Sequence, residues 1–227
     1  MKIELLFRPA NTISKITLSP NESVTAESGA MMAMSGDIDL QTTTHKKESG
    51  NILSAMKRIF AGESFFLNHF TASPKGGEIL LSCDTAGDMM VHELKGETLI
   101  VAAGGFVAKE DSLDMTVGWQ GMASFFSGEG LFWLKIKGMG KVILSSFGSI
   151  YEVDVQDSYI VDTSHIVAFE ETLNFSITKG GNTWLSAFLG GEGLVCKFSG
   201  KGKVFCQSHN LNRFGEGLRS LLKPKER

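Results

Sequence analysis

Apolar and polar positions alternate along much of this chain, and three related blocks interrupt the alternation. The opening stretch Met1-Lys2-Ile3-Glu4-Leu5-Leu6-Phe7 alternates as a half-buried strand does. Residues 88–94, 131–136, 141–145, 150–155 and 175–178 are short runs rich in β-branched and aromatic side chains, and they also predict strands. The interrupting block is written Phe125-Phe126-Ser127-Gly128-Glu129-Gly130-Leu131 in its fullest form. Its other copies are Ile59-Phe60-Ala61-Gly62-Glu63-Ser64-Phe65 and Phe188-Leu189-Gly190-Gly191-Glu192-Gly193-Leu194.

Just before each Gly-Glu the apolar spacing changes to that of a helix. Met56, Ile59 and Phe60 stand at i, i+3, i+4, as do Met122, Phe125, Phe126 and Leu185, Phe188, Leu189. That spacing places three apolar side chains on one face of a short helix, which must lie on a sheet to persist. The turn glycines Gly62, Gly128, Gly130, Gly191 and Gly193 are read as structural, ending each helix where a Cβ would clash. After each block come two apolar runs separated by glycines. In the second copy, Gly138-Met139-Gly140 predicts a tight hairpin between them.

A second block recurs upstream. Glu22-Ser23-Val24-Thr25-Ala26 corresponds to Glu97-Thr98-Leu99-Ile100-Val101 and to Asp157-Ser158-Tyr159-Ile160-Val161. Nine residues past Val24, Leu99 and Tyr159 stand Ala33, Ala108 and Ala168, and five further on stand Ile38, Leu113 and Leu173. Matched blocks in one order predict a mainly β fold of three repeats, each carrying one short helix and each too small to bury its apolar face alone. The repeats run 1–86, 87–155 and 156–210, within a single domain closing about a pseudo-threefold axis. The first spacing between alanines is 75 residues and the second is 60. Polar residues 41–50 account for the surplus as an exposed loop inserted in repeat one. From Asn210 the pattern changes again. Leu211, Phe214, Leu218, Leu221 and Leu222 fall at helical spacing among five basic and two acidic residues, making 211–227 a basic amphipathic tail. The favoured reading packs this tail on its own domain; contact with a membrane surface is the alternative.

Composition narrows the function classes. A net charge of −3 disfavours a nucleic-acid footprint, and 42% hydrophobic with 21% charged residues describes an ordinary folded domain. No signal-peptide pattern opens the chain, and its three cysteines include no CxxC pair, so a cytoplasmic location is expected. Cys196 stands in place of Trp133 and Cys206 in place of Leu144, which predicts buried thiols. The Gly-x-Gly strings lie outside a strand–loop–helix context, and no GxSxG or HExxH occurs. No catalytic residue, metal ligand set or cofactor is therefore assigned. The recurrent carboxylates Glu63, Glu129 and Glu192 are the weak candidates for ligand binding. They either accept backbone N–H bonds at their own turns or converge about the axis, where like charges would demand a cation.

The segments Gly29-Ala30-Met31-Met32-Ala33-Met34, Phe-Phe-Ser-Gly-Glu-Gly-Leu and Phe198-Ser199-Gly200-Lys201-Gly202 carry a resemblance that runs from about Ile3 to Leu222. The chain resembles a widespread family that includes a mitochondrial protein named for altered inheritance of mitochondria, together with bacterial relatives. The resemblance implies three repeats similar to the subunit of the tryptophan RNA-binding attenuation protein, of β-sandwich or double-stranded β-helix type, a unit that forms rings. Neither tryptophan nor RNA is carried over, because no contacting residue maps onto this sequence. The expected function is that of a non-enzymatic, homo-oligomeric scaffold or assembly protein. The alternative is a binding module for a small ligand, an ion or nucleic acid.

Overall fold

A computed structural model describes residues 1–44, 66–117, 133–179 and 194–219. Within them the chain is almost wholly β. They form seventeen strands, with two single-turn 3-10 segments and one α-helix near the end. The three predicted short helices, the glycines 62, 128, 130, 191 and 193, and the glutamates 63, 129 and 192 all lie outside the described residues.

The first set of strands comprises β1 (Lys2–Leu6), β2 (Ile13–Leu18), β3 (Ser23–Glu27), β4 (Met31–Met34), β5 (Ile38–Thr44), β6 (Phe66–Ala72) and β7 (Gly77–Leu81). The middle set is β8 (Met89–Ala102), β9 (Phe106–Glu110), β10 (Leu113–Val117) and β11 (Trp133–Ser145). The last is β12 (Ile150–Val155), β13 (Ser158–Asp162), β14 (Ile166–Glu170), β15 (Asn174–Lys179), β16 (Leu194–Ser199) and β17 (Gly202–Gln207), followed by α1 (Leu211–Arg219).

All ladders between these strands are antiparallel, and one order of pairing recurs. β3 pairs β6, which pairs β5; the second half of β8 pairs the first half of β11, which pairs β10; β13 pairs β16, which pairs β15. Likewise β2–β7–β4, the first half of β8 with the second half of β11 and β9, and β12–β17–β14 run in the same order. The alanines matched in the sequence occupy matching rungs: Ala33 faces Leu80, Ala108 faces Ile143 and Ala168 faces Phe205. A register shift accompanies each, between Met31 and Ala33, Ile143 and Leu144, and Ile166 and Ala168. Ile38, Leu113 and Leu173, predicted apolar anchors, are all buried.

These half-units join side by side. β9 pairs β3, with Val24, Thr25 and Ala26 facing Glu110, Lys109 and Ala108. β14 pairs β8 in the same way, with Leu99, Ile100 and Val101 facing Glu170, Phe169 and Ala168. The result is a continuous ten-stranded sheet, flanked by a four-stranded sheet β1-β2-β7-β4 and a three-stranded sheet β13-β16-β15. Apolar side chains fill three clusters. One lies around Phe70, Ile16 and Ile79, one around Phe106, Leu134 and Phe205, and one around Phe169, Phe198 and Val204.

Three expectations change. Gly138-Met139-Gly140 does not turn a hairpin; it lies inside the single bent strand β11, with a register shift between Lys137 and Met139. The facing strand β8 is continuous too, so both bend together, through Gly96 (φ 114°) on one side and Gly138 (φ 125°) on the other. Residues Gln41–Thr44 are not loop but the end of β5, where Gln41 faces His69 and Thr44 faces Phe66. A strand at a sheet edge can be wholly polar, because it has little apolar surface to bury. Cys196 faces Val161 as Leu134 faces Val101, so it takes the place of Leu134 rather than Trp133.

Candidate functional site

Asp88 stands just before β8, and its carboxylate is almost closed off from solvent at 5% exposure. It accepts from Arg8 Nε (2.9 Å) and Nη2 (2.8 Å), Thr12 Oγ1 (2.7 Å) and the Met89 amide (2.8 Å). Burial pushes the carboxyl pKa up, but these donors outweigh it and hold it below the usual carboxylate range. Arg8 and Thr12 come from the segment after β1, so the cluster ties that segment to the start of β8.

A second cluster superficially suggests a nucleophile. Thr25 Oγ1 lies 2.9 Å from His69 Nδ1 and donates to Asp111 Oδ1 at 2.9 Å, while Thr43 Oγ1 lies 2.7 Å from His69 Nε2. A hydroxyl has one proton, and here it goes to Asp111. His69 Nδ1 must therefore donate to Thr25. Activation needs the opposite polarity, with the imidazole taking the hydroxyl proton. The network clamps β3, β5 and β6 to the turn after β9.

A buried lysine and a half-buried glutamate complete the set. Lys109 donates from Nζ to the Leu113 carbonyl at 2.8 Å; burial lowers its pKa against the pull of Asp111 and Asp114. Glu27 is pushed up to about 7, first by burial and then by the neighbouring charge of Asp84. Among the described residues no group of three or more His, Cys, Asp or Glu is placed to hold a metal ion. Burial raises the thiol pKa of Cys196 to about 12 and of Cys206 to about 11.

The unusual chemistry of the molecule lies at its sheet edges. β4 is a terminal strand of the four-stranded sheet, and β13 is a terminal strand of the three-stranded one. β4 reads Met31-Met32-Ala33-Met34 and is exposed along its length, Met32 at 56%. β13 exposes Tyr159 and, at 60%, Ile160. The strands at matching rungs inside the ten-stranded sheet are buried: Phe106–Ala108 on β9, Ile166–Ala168 on β14, Val24–Ala26 on β3 and Leu99–Val101 on β8. Neither β4 nor β13 carries the lysine or proline that usually blunts an exposed edge. The sequence repeat marked these segments, but only strand pairing distinguishes an end from a middle.

A third apolar surface lies on α1, where Leu211, Phe214 and Leu218 are exposed beside Arg213 and Arg219. Asn210 Oδ1 caps this helix by accepting from the Arg213 amide at 3.0 Å. Phe214 packs edge-on against Phe147 at 5.3 Å between ring centroids. No described helix is long and apolar enough to cross a membrane.

The comparisons with known proteins agree with this architecture. The family model described as Mitochondrial biogenesis AIM24 matches residues 3–209. A protein of Streptococcus pyogenes serotype M6, described as uncharacterized, is 29% identical over 214 residues, which span 92% of this chain and 86% of that one. A crystal structure of a Streptococcus pyogenes protein superposes with a TM-score of 0.79 at 26% identity, covering 97% of this chain and 99% of that chain.

Proposed function

We propose that this chain, which belongs to the Mitochondrial biogenesis AIM24 family, is a non-enzymatic scaffold that works by self-association. It is built of three equivalent β units related by approximate rotation, each too small to stand alone. The observation that carries this reading is the pair of open, apolar sheet edges, β4 and β13, on a molecule whose other matching strands are paired and buried. An exposed edge strand that lacks lysine and proline is a template for another strand. The polar clusters support the same reading from the other side, since each described one is internally satisfied and oriented for structure rather than for proton transfer.

Native mass spectrometry of protein purified from its own host tests this reading. Masses at whole multiples of 24.6 kDa, with no further component, are expected. A single-chain mass would remove the scaffold reading. A stoichiometric small molecule, ion or oligonucleotide riding on the chain would favour the alternative, a binding module.

A further inference from the structure

We propose that the two open edges are complementary halves of one interface, so that β13 of one copy pairs with β4 of the next copy of this chain. This inference rests on the scaffold reading and specifies its contact. Inside the chain the same joint is made twice. The β8–β11–β9 side meets β3–β6–β5 through β9 and β3, and β12–β17–β14 meets β8–β11–β10 through β14 and β8. Among the described residues, what remains unjoined is β1-β2-β7-β4 at one end and β13-β16-β15 at the other. Set edge to edge, these rebuild the sheet order of the two internal joints, with β1 added at the outside.

The register follows from the rungs already occupied. Ala33 faces Leu80 as Ala108 faces Ile143 and Ala168 faces Phe205, and Val161 faces Cys196 as Val101 faces Leu134 and Ala26 faces Asn68. In the internal joints Ala26 faces Ala108 and Val101 faces Ala168. Between copies, Val161 therefore faces Ala33, Ile160 faces Met34 and Tyr159 faces Ser35, antiparallel. The central pair is Thr25 with Lys109 in one internal joint and Ile100 with Phe169 in the other, all buried. Between copies it becomes Ile160 with Met34, two apolar side chains exposed in the single chain. An apolar pair opposite each other on one face is a stabilising cross-strand contact, and joining them removes both from water. The contact is head-to-tail: the surfaces it joins differ, so successive copies form a ring wherever the rotation closes.

Two single variants test the pairing, Met34→Cys and Ile160→Cys, each made in a Cys83→Ser background because Cys83 is the half-buried native thiol. Both changes are at exposed positions and leave the fold intact. Treated with a short bismaleimide, an equal mixture of the two variants is expected to give a covalent dimer, while each variant alone gives none. Cross-linking of Ile160→Cys to itself, or no dimer in the mixture, would overturn the pairing. In parallel, Ile160→Lys is expected to shift the light-scattering mass down to a single chain, and Met139→Lys, at a 70% exposed residue off both edges, to leave it at the wild-type value. An unchanged mass for Ile160→Lys would also overturn it. Wild-type protein that associates without forming the mixed cross-link refutes this interface and leaves the scaffold reading standing; wild-type protein that is a single chain refutes both.

Discussion

Removing the Asp88 carboxylate should be among the costliest single changes at a polar residue of this chain. In Asp88→Ala, the buried Thr12 hydroxyl and the buried Met89 amide both lose their acceptor. Each buried donor left unsatisfied costs about 1–3 kcal/mol. The ion pair itself adds little, because Arg8 is 50% exposed and its charge is screened by water. The expected loss is about 3 kcal/mol for Asp88→Ala and about 1 kcal/mol for Arg8→Ala, which leaves Thr12 and Met89 satisfied. Equilibrium urea unfolding, read by tryptophan fluorescence at one fixed protein concentration, measures both. The pH dependence supplies a second reading. The folded-state pKa of Asp88 lies below the unfolded value, so its contribution is present above about pH 4 and is lost as pH falls through the folded pKa. Asp88→Asn should flatten stability against pH in that acid window. An Arg8→Ala loss as large as that of Asp88→Ala, or an unchanged acid slope in Asp88→Asn, would refute the reasoning.

Other outcomes follow from single sites. Glu27 has its folded pKa raised to about 7 from 4.5, so the wild type loses stability as pH rises through that window. Glu27→Gln should be more stable than wild type by about 2 kcal/mol at pH 8, after discounting for partial exposure, and no more stable at pH 4; thermal melts at the two pH values decide. A Cβ at Gly87 would sit 1.8 Å from the Ser146 carbonyl oxygen, whereas one at Gly36 meets nothing within 4 Å. Gly87→Ala should therefore cost about 3 kcal/mol in urea unfolding and Gly36→Ala under about 0.5 kcal/mol. Cys196 and Cys206, with thiols raised by burial to about 12 and about 11, should resist iodoacetamide at pH 8 until the protein is unfolded. Peptide mapping of native and urea-treated protein reads this directly.

The recurrent parts of the fold were legible because three copies constrain one another. Ala33, Ala108 and Ala168 were matched from spacing alone, and they occupy matching rungs of three ladders. Ile38, Leu113 and Leu173 were matched the same way, and all three are buried. What spacing misjudged was local. Gly138-Met139-Gly140 has the composition of a hairpin, but the facing strand is also continuous and bends at Gly96, so tertiary pairing decides between a turn and a bend. Thr42 and Thr43 read as loop because they bury nothing, yet β6 supplies their backbone partners and Thr42 Oγ1 donates to Asn68. The edges were illegible for a deeper reason. Met31–Met34 resembles Phe106–Lys109 in pattern, and nothing in either stretch says that one has a neighbour and the other an open side. That difference lies in strand pairing: β9 has β3 beside it, whereas β4 has a described partner, β7, on one side only. Thr25, His69 and Asp111 were likewise invisible as a group, being 44 and 86 residues from Thr25 along the chain.

Amide hydrogen exchange of β4 and β13 tests the central claim most directly, because it reads whether those two edges are paired. At tens of micromolar protein, the amides of Met31–Met34 and Ser158–Asp162 that do not bond to β7 and β16 should exchange as slowly as those of β9 and β14, and should speed up on dilution to nanomolar. Exchange at the rate of a free edge at every concentration would contradict the account.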